Sequence, residues 1–169
     1  MKIVGLDCEF TDYAHGKKQV AAVLQLSVAT DTLVFHIVHA DKVPQALKDF
    51  LMDKTIKFCG AAIKNDQRVL EPYEIKISSA VDLQEVVRRP NPTRQLPSLY
   101  RLANETIHTS LDMKKNKKED EKKKEDKKEE EEDLTSGWGK YPLSLYRIKY
   151  ASVDARLGYE IGRKCLGAM

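Results

Sequence analysis

Seven residues near the start of the chain, Val4-Gly5-Leu6-Asp7-Cys8-Glu9-Phe10, constrain the fold more than any other stretch. An apolar run leads straight into two carboxylates one residue apart. Side chains alternate along a strand, so Asp7 and Glu9 project to one face and Cys8 to the other. Two carboxylates side by side at the end of a buried strand are costly unless a cation sits between them. A hard divalent ion is the simplest such partner. Taken alone, an Asp-x-Glu is more often a strand end running into solvent. The reading therefore turns on whether further acids occur where a metal site needs them.

Residues 2–9 read as a first strand and 11–18 as a hairpin loop. Residues 19–29 alternate as a second strand, with Leu24 and Leu26 on one face and Gln25 and Ser27 on the other. Leu33 to Val38 forms a third, giving an antiparallel meander. His36 and His39, three apart in a strand-like stretch, fall on opposite faces and read as ordinary residues rather than ligands. The period then changes. Pro44 opens a helix carrying Ala46, Leu47, Phe50 and Leu51, and Ile56 to Ala62 is a buried strand. Asn65 caps a helix that closes before Pro72. A fifth short strand lies within 75–83, a helical segment at 83–89, and Leu96, Leu99, Leu102 and Ala103 mark another helix. A last helix runs from near Ser144 to about Lys164, with Val153, Leu157 and Ile161 along its apolar line. Three strands followed by alternating helix and strand predict a mixed α/β sheet with helices packed on it. The predicted core is Ile3, Val4, Leu6, Leu24, Leu26, Val34, Phe35, Phe58, Val69, Leu70, Val153 and Leu157.

Charge matters at one place. Residues 112–133 hold 9 lysines against 11 acids and, Met113 apart, nothing to bury, so they read as a charged low-complexity insertion within a single domain spanning 1–169. The remainder is therefore more basic than the whole chain's +3, which is compatible with a polyanionic partner. No apolar stretch is long enough to span a membrane and no signal peptide opens the chain, so the expected location is intracellular, nucleus or cytoplasm. Cys8 and Cys59 sit in apolar runs, and with Cys165 their spacing gives neither zinc ligands nor a disulfide framework.

Two further acids complete the pattern. Asp66 falls in the first turn of the helix after a buried strand, in Asn65-Asp66-Gln67-Arg68-Val69-Leu70. Asp154 lies four residues beyond Tyr150 in Tyr150-Ala151-Ser152-Val153-Asp154-Ala155, so the two share a helix face. The ordered set of Asp-x-Glu, Asn-Asp and Tyr-x-x-x-Asp resembles the three motifs of the DEDDy 3′–5′ exonucleases, which include ribonuclease D and the Werner exonuclease domain. Val23-Leu24-Gln25-Leu26-Ser27 looks like that family's second strand, and Trp138 with Pro142-Leu143 like the approach to its third motif. Small plant Werner-like proteins and the RISC-interacting clearing exoribonucleases look most similar.

The resemblance implies a ribonuclease H-like fold: a mixed five-stranded sheet with helices on both faces. It implies a 3′–5′ exonuclease using two divalent ions, Mg2+ or Mn2+, on single-stranded nucleic acid, with RNA slightly favoured over DNA. By the same resemblance Asp7 bridges both ions, Glu9 and Asp154 hold the ion that activates water, and Asp66 holds the second. Tyr150 would hydrogen-bond the attacking water. The histidine subtype would need its histidine where Lys149 stands. Some relatives form rings, so a homo-oligomer is compatible. Lys17, Lys18 and Arg94 are the candidate backbone contacts. A catalytically silent nucleic-acid-binding or scaffold module is the rival reading, which the retained acid cluster disfavours.

Overall fold

The computed structural model describes residues 1–87, 96–111 and 132–167. β1 (Lys2–Phe10), β2 (Ala21–Val28) and β3 (Asp31–Phe35) form the expected meander. α1 (Gln45–Met52), β4 (Ile56–Gly60), α2 (Ile63–Leu70), β5 (Ala80–Asp82), α3 (Leu83–Val86), α4 (Leu99–Ile107) and α5 (Leu145–Leu166) follow. The strand order is β3-β2-β1-β4-β5. β1 pairs antiparallel with β2 and parallel with β4, so it is the central strand where the two senses meet.

Alternation along β1 separates two cores. Val4, Leu6 and Cys8 face one layer with Leu24, Leu26 and Phe58, covered by Leu51 of α1 and Ile63, Val69 and Leu70 of α2. On the other face Ile3 and Cys59 pack with Leu102 of α4 and Leu157 and Ile161 of α5. Beside them Ala22 and Val23 meet Trp138 and Ala151. Helices thus cover both faces of a five-stranded mixed sheet. Of the expected core, Val34, Phe35 and Val153 are only partly buried, at the margins of these clusters.

α5 lies unusually close to the sheet. A Cβ at Gly5 would stand 1.9 Å from the Ala155 carbonyl oxygen and 2.4 Å from the Tyr159 nitrogen. One at Gly158 would meet the Cys59 carbonyl at 2.7 Å, and one at Gly162 the Cys59 Sγ at 2.7 Å. At Gly5 and Gly158 backbone meets backbone, and at Gly162 the helix backbone meets the Cys59 side chain, a closeness that only glycine permits.

Several boundaries move. The third strand ends at Phe35, and residues 37–39 form a 3₁₀ turn. His36 and His39 therefore share one side, with ring centroids 4.6 Å apart, because i and i+3 eclipse in that helix type. Each Nε2 donates to a carbonyl, His36 to Trp138 at 3.0 Å and His39 to Gly139 at 2.8 Å. Asn65 does not cap α2. That helix starts at Ile63, after Ala62 turns the chain in the left-handed region at φ 55°, and buries Ile63. Leu96 precedes α4 and is exposed. Ser144 does cap α5, accepting from the Arg147 nitrogen at 3.1 Å. The expected insertion and the end of the 83–89 helical segment lie outside the described residues, except for Glu132, Asp133 and residues 83–87.

Candidate active site

Pairing between β1 and β4 ends at Gly5 and Cys59, so Asp7 and Glu9 extend beyond the parallel partner at the carboxyl end of the strand. Open α/β sheets hold their ligands there. The β1–β2 register slips between Glu9 and Phe10, a bulge at the rim of the site. Both acids are partly buried while Cys8 between them is buried in the opposite core, as alternation predicts. The close packing of α5 on Gly5 brings Asp154 over the same strand end.

Asp7, Glu9 and Asp154 converge: each offers an oxygen, and the three lie within 4.8 Å of one another. Tyr150, one turn before Asp154, lines the same cleft, about 410 Å³, together with Cys8, Ala61, Ser98, Leu99 and Tyr100. Asp66 is outside that three-oxygen group but next to it. It is buried, and burial first, then the charges of Asp7 and Glu9, push its carboxyl well above the usual carboxylate range. Burial first, then the charges of Asp66, Asp7 and Glu9, raise the Cys8 thiol well above its ordinary range. An oxygen-only donor set with crowded carboxylates suits a hard divalent cation, and histidine or thiolate ligands are absent from this group.

The segment entering α5 is braced from behind the site. Arg147, buried, donates from Nε to Glu132 at 2.6 Å and from Nη2 to the Asp133 carbonyl at 2.6 Å, and its guanidinium lies 4.9 Å from the Trp138 ring centroid. Ser144 donates to the same Glu132 carboxylate. Trp138 donates to the Leu134 carbonyl at 3.0 Å, and its ring sits 6.0 Å from that of Tyr150. Asp12, in the loop after β1, accepts from the Gly137 nitrogen at 2.6 Å. Glu132 belongs to the stretch expected to be a mere charged insertion. It is instead half of an ion pair behind the catalytic-side helix.

Lys17 and Lys18 are exposed in the loop between β1 and β2 and do not line the cleft. Arg94 lies outside the described residues. Tyr100 escaped notice in the sequence. It lines the cleft from the first turn of α4, together with Asp154. Burial first, then the Asp154 charge, holds that phenol far above its ordinary range. The only signal for it was its place next to Leu99 at the start of an amphipathic helix.

A central strand flanked antiparallel on one side and parallel on the other, with acids from β1, α2 and α5 at one end, defines a ribonuclease H-like nuclease architecture. The chain belongs to the 3′–5′ exonuclease family, which it matches over residues 1–165. It is 30% identical over 165 residues to the mouse bifunctional 3′–5′ exonuclease/ATP-dependent helicase WRN. That alignment covers 96% of this chain but 11% of the relative, so the chain spans about a tenth of that protein's length. The fold is similar to Escherichia coli RNase D, with a TM-score of 0.70 at 17% identity, covering 98% of this chain and 39% of the other. It is likewise similar to Brucella melitensis NrnC, with a TM-score of 0.69 at 16% identity, covering 98% and 72%. Trypanosoma brucei RNase D, solved with RNA U12, gives 0.71 at 15%, covering 98% and 56%. Among the described residues no helix is long and apolar enough to cross a membrane.

Proposed function

We propose that this chain hydrolyses phosphodiester bonds from the 3′ end of single-stranded nucleic acid, in a site built for two divalent cations. The observation that carries the reading is the convergence of Asp7, Glu9 and Asp154 within 4.8 Å beside Tyr150 in one cleft. In this reading Asp7, Glu9 and Asp154 would hold one ion, and Asp7 with buried Asp66 the other. The ions supply what carboxylates cannot: charge stabilisation of the attacking and leaving oxygens and a lowered pKa for water. Tyr150 orients that water by a hydrogen bond and need not ionise to do so. Attack on the last phosphodiester breaks its bond to the 3′ oxygen of the penultimate sugar. A nucleoside 5′-monophosphate leaves, and a new 3′ hydroxyl remains.

A cleft of about 410 Å³ has room on the scale of a single nucleotide, which supports a single-stranded end as the substrate. RNA is placed before DNA because Escherichia coli RNase D is described as an exoribonuclease and Trypanosoma brucei RNase D binds RNA U12. Lys17 and Lys18 remain candidates for the backbone further from the end.

The test is single-turnover cleavage of 5′-labelled RNA and DNA oligomers with Mg2+ or Mn2+, and of a circular substrate. Shortening from the 3′ end is expected, the circle staying intact. Asp7→Ala is expected to abolish cleavage, and Tyr150→Phe to slow it by on the order of 10²–10³-fold. Internal cuts in the circle, or an Asp7→Ala chain as active as the parent, would overturn the reading. Binding without cleavage under either metal would leave a silent nucleic-acid-binding module.

A further inference from the structure

The turn that leads from β4 into α2 is held in a strained state by a residue of another strand. Ala62 lies in the left-handed region, at φ 55° and ψ 35°, where a Cβ crowds the following carbonyl oxygen. It has no polar side chain with which to cap the helix it precedes. Its N–H donates instead to Oδ1 of Asp82 at 3.2 Å. The same Oδ1 accepts from the Gln84 nitrogen at 3.0 Å, which caps α3. Asp82 ends β5 and pairs with Gly60, the last residue of β4, so one carboxylate serves both connections that leave these two strands.

Asp66 is what this turn carries. α2 starts at Ile63, directly after Ala62, and the Asn65 nitrogen donates back to the Ala62 carbonyl at 2.8 Å. Asp66 follows in the first turn, buried, while Ala61 of the same connection lines the cleft. Left-handed and right-handed residues send the chain in different directions, so the state of Ala62 sets the line along which α2 leaves the sheet. A non-glycine residue persists in that state only where its surroundings over-determine it, and such residues cluster at functional sites. The Lys64–Glu85 ion pair also joins α2 to α3, but its side chains are 78% and 62% exposed, and pairs in water contribute little. The partly buried bond from Ala62 to Asp82 is the stronger restraint.

We propose that Asp82 is a positioning residue of the cation site: by holding Ala62 in the left-handed state it places Asp66 for its ion. The inference rests on the two-ion reading given above. Calorimetric titration of the full chain with Mn2+ in the absence of nucleic acid counts the ions and gives their affinities. The parent is expected to take up two. Asp82→Ala is expected to weaken one of them by on the order of 10- to 100-fold and to leave the other, held by Asp7, Glu9 and Asp154, at the parent value. Adding Ala62→Gly is expected to restore most of that loss, because glycine enters the left-handed region freely, whereas a role confined to capping α3 would not respond to residue 62. Asp82→Asn keeps an acceptor oxygen and is expected to show little loss. Parent affinities for both ions in Asp82→Ala overturn the proposal. So does an equal loss in Asp82→Asn, which would make charge the cause, or a loss that Ala62→Gly does not repair. An Asp82→Ala chain that fails to fold with and without Ala62→Gly overturns it as well, since Asp82 would then hold the fold and not the ligand. A parent chain that takes up one ion or none overturns the two-ion reading itself, and that failure is visible before any variant is compared.

Discussion

The two halves of α5 are held to the protein by opposite means. Its second half touches the sheet through glycine, with Gly158 and Gly162 against Cys59 and Gly5 against Ala155. Its first half stands on side chains: Arg147 on Glu132 and Trp138, and Ser144 as the cap. Tyr150 and Asp154 lie where one regime gives way to the other. The close glycine contact fixes where Asp154 stands relative to Asp7. The ion-paired brace fixes the loop behind Tyr150. One half sets the distance between the acids, the other sets the wall of the cleft.

The sharpest way to break this division is Gly5→Ala. Its methyl group has no room, so strand and helix must part. Overpacking of this kind costs about 1–3 kcal/mol, and more where the obstacle is backbone, as it is here. Denaturant melts should show the largest loss of any single methyl added to the protein, with Mn2+ binding lost in whatever remains folded. A fully stable Gly5→Ala chain with normal Mn2+ affinity would show that α5 tolerates displacement.

Arg147→Ala attacks the other half. Breaking a fully buried pair costs about 3–5 kcal/mol, but the Glu132 side chain is 32% exposed and water takes over part of the work, so about 1–3 kcal/mol is expected here. Hydrogen exchange should rise across 134–143 while Mn2+ affinity stays at the parent value. A fall in affinity as large as that of Gly5→Ala would erase the distinction between the halves.

The smallest effect has the opposite sign. Asp66 is raised mainly by burial and then by Asp7 and Glu9, so its ionised form strains the metal-free fold. Stability from the neutral form is present below the unfolded aspartate pKa and is lost as pH rises through the folded value. Asp66→Asn should therefore raise the metal-free melting temperature at neutral pH. The difference from the parent should shrink as the pH falls towards about 4 and close below it, where the acid is protonated in both states. Saturating Mn2+ should reverse the order, the parent becoming the more stable.

Much of this was legible from residues alone. β1 and α5 announce themselves through uninterrupted periodicity, and with them the facing of Asp7 with Glu9 and of Tyr150 with Asp154. What escaped was held by contacts distant in sequence or by backbone states that leave no compositional mark. Ala62 in the left-handed region carries no glycine or asparagine to signal it, so the start of α2 was misplaced. His36 and His39 change sides because a 3₁₀ turn replaces the strand end. Glu132 looks like its acidic neighbours, and only the folded chain singles it out as the partner of Arg147.

The clustered acids also impose a timetable. Asp7 and Glu9 lie in β1 and Asp154 in α5, the first and last elements of the domain, and the packing of α5 on β1 bridges nearly all that lies between. Such non-local closure is slow and comes late in assembly. A chain still emerging from the ribosome therefore carries its first two carboxylates long before the third can reach them. The acid cluster therefore exists only once the last helix has been made and has packed on β1.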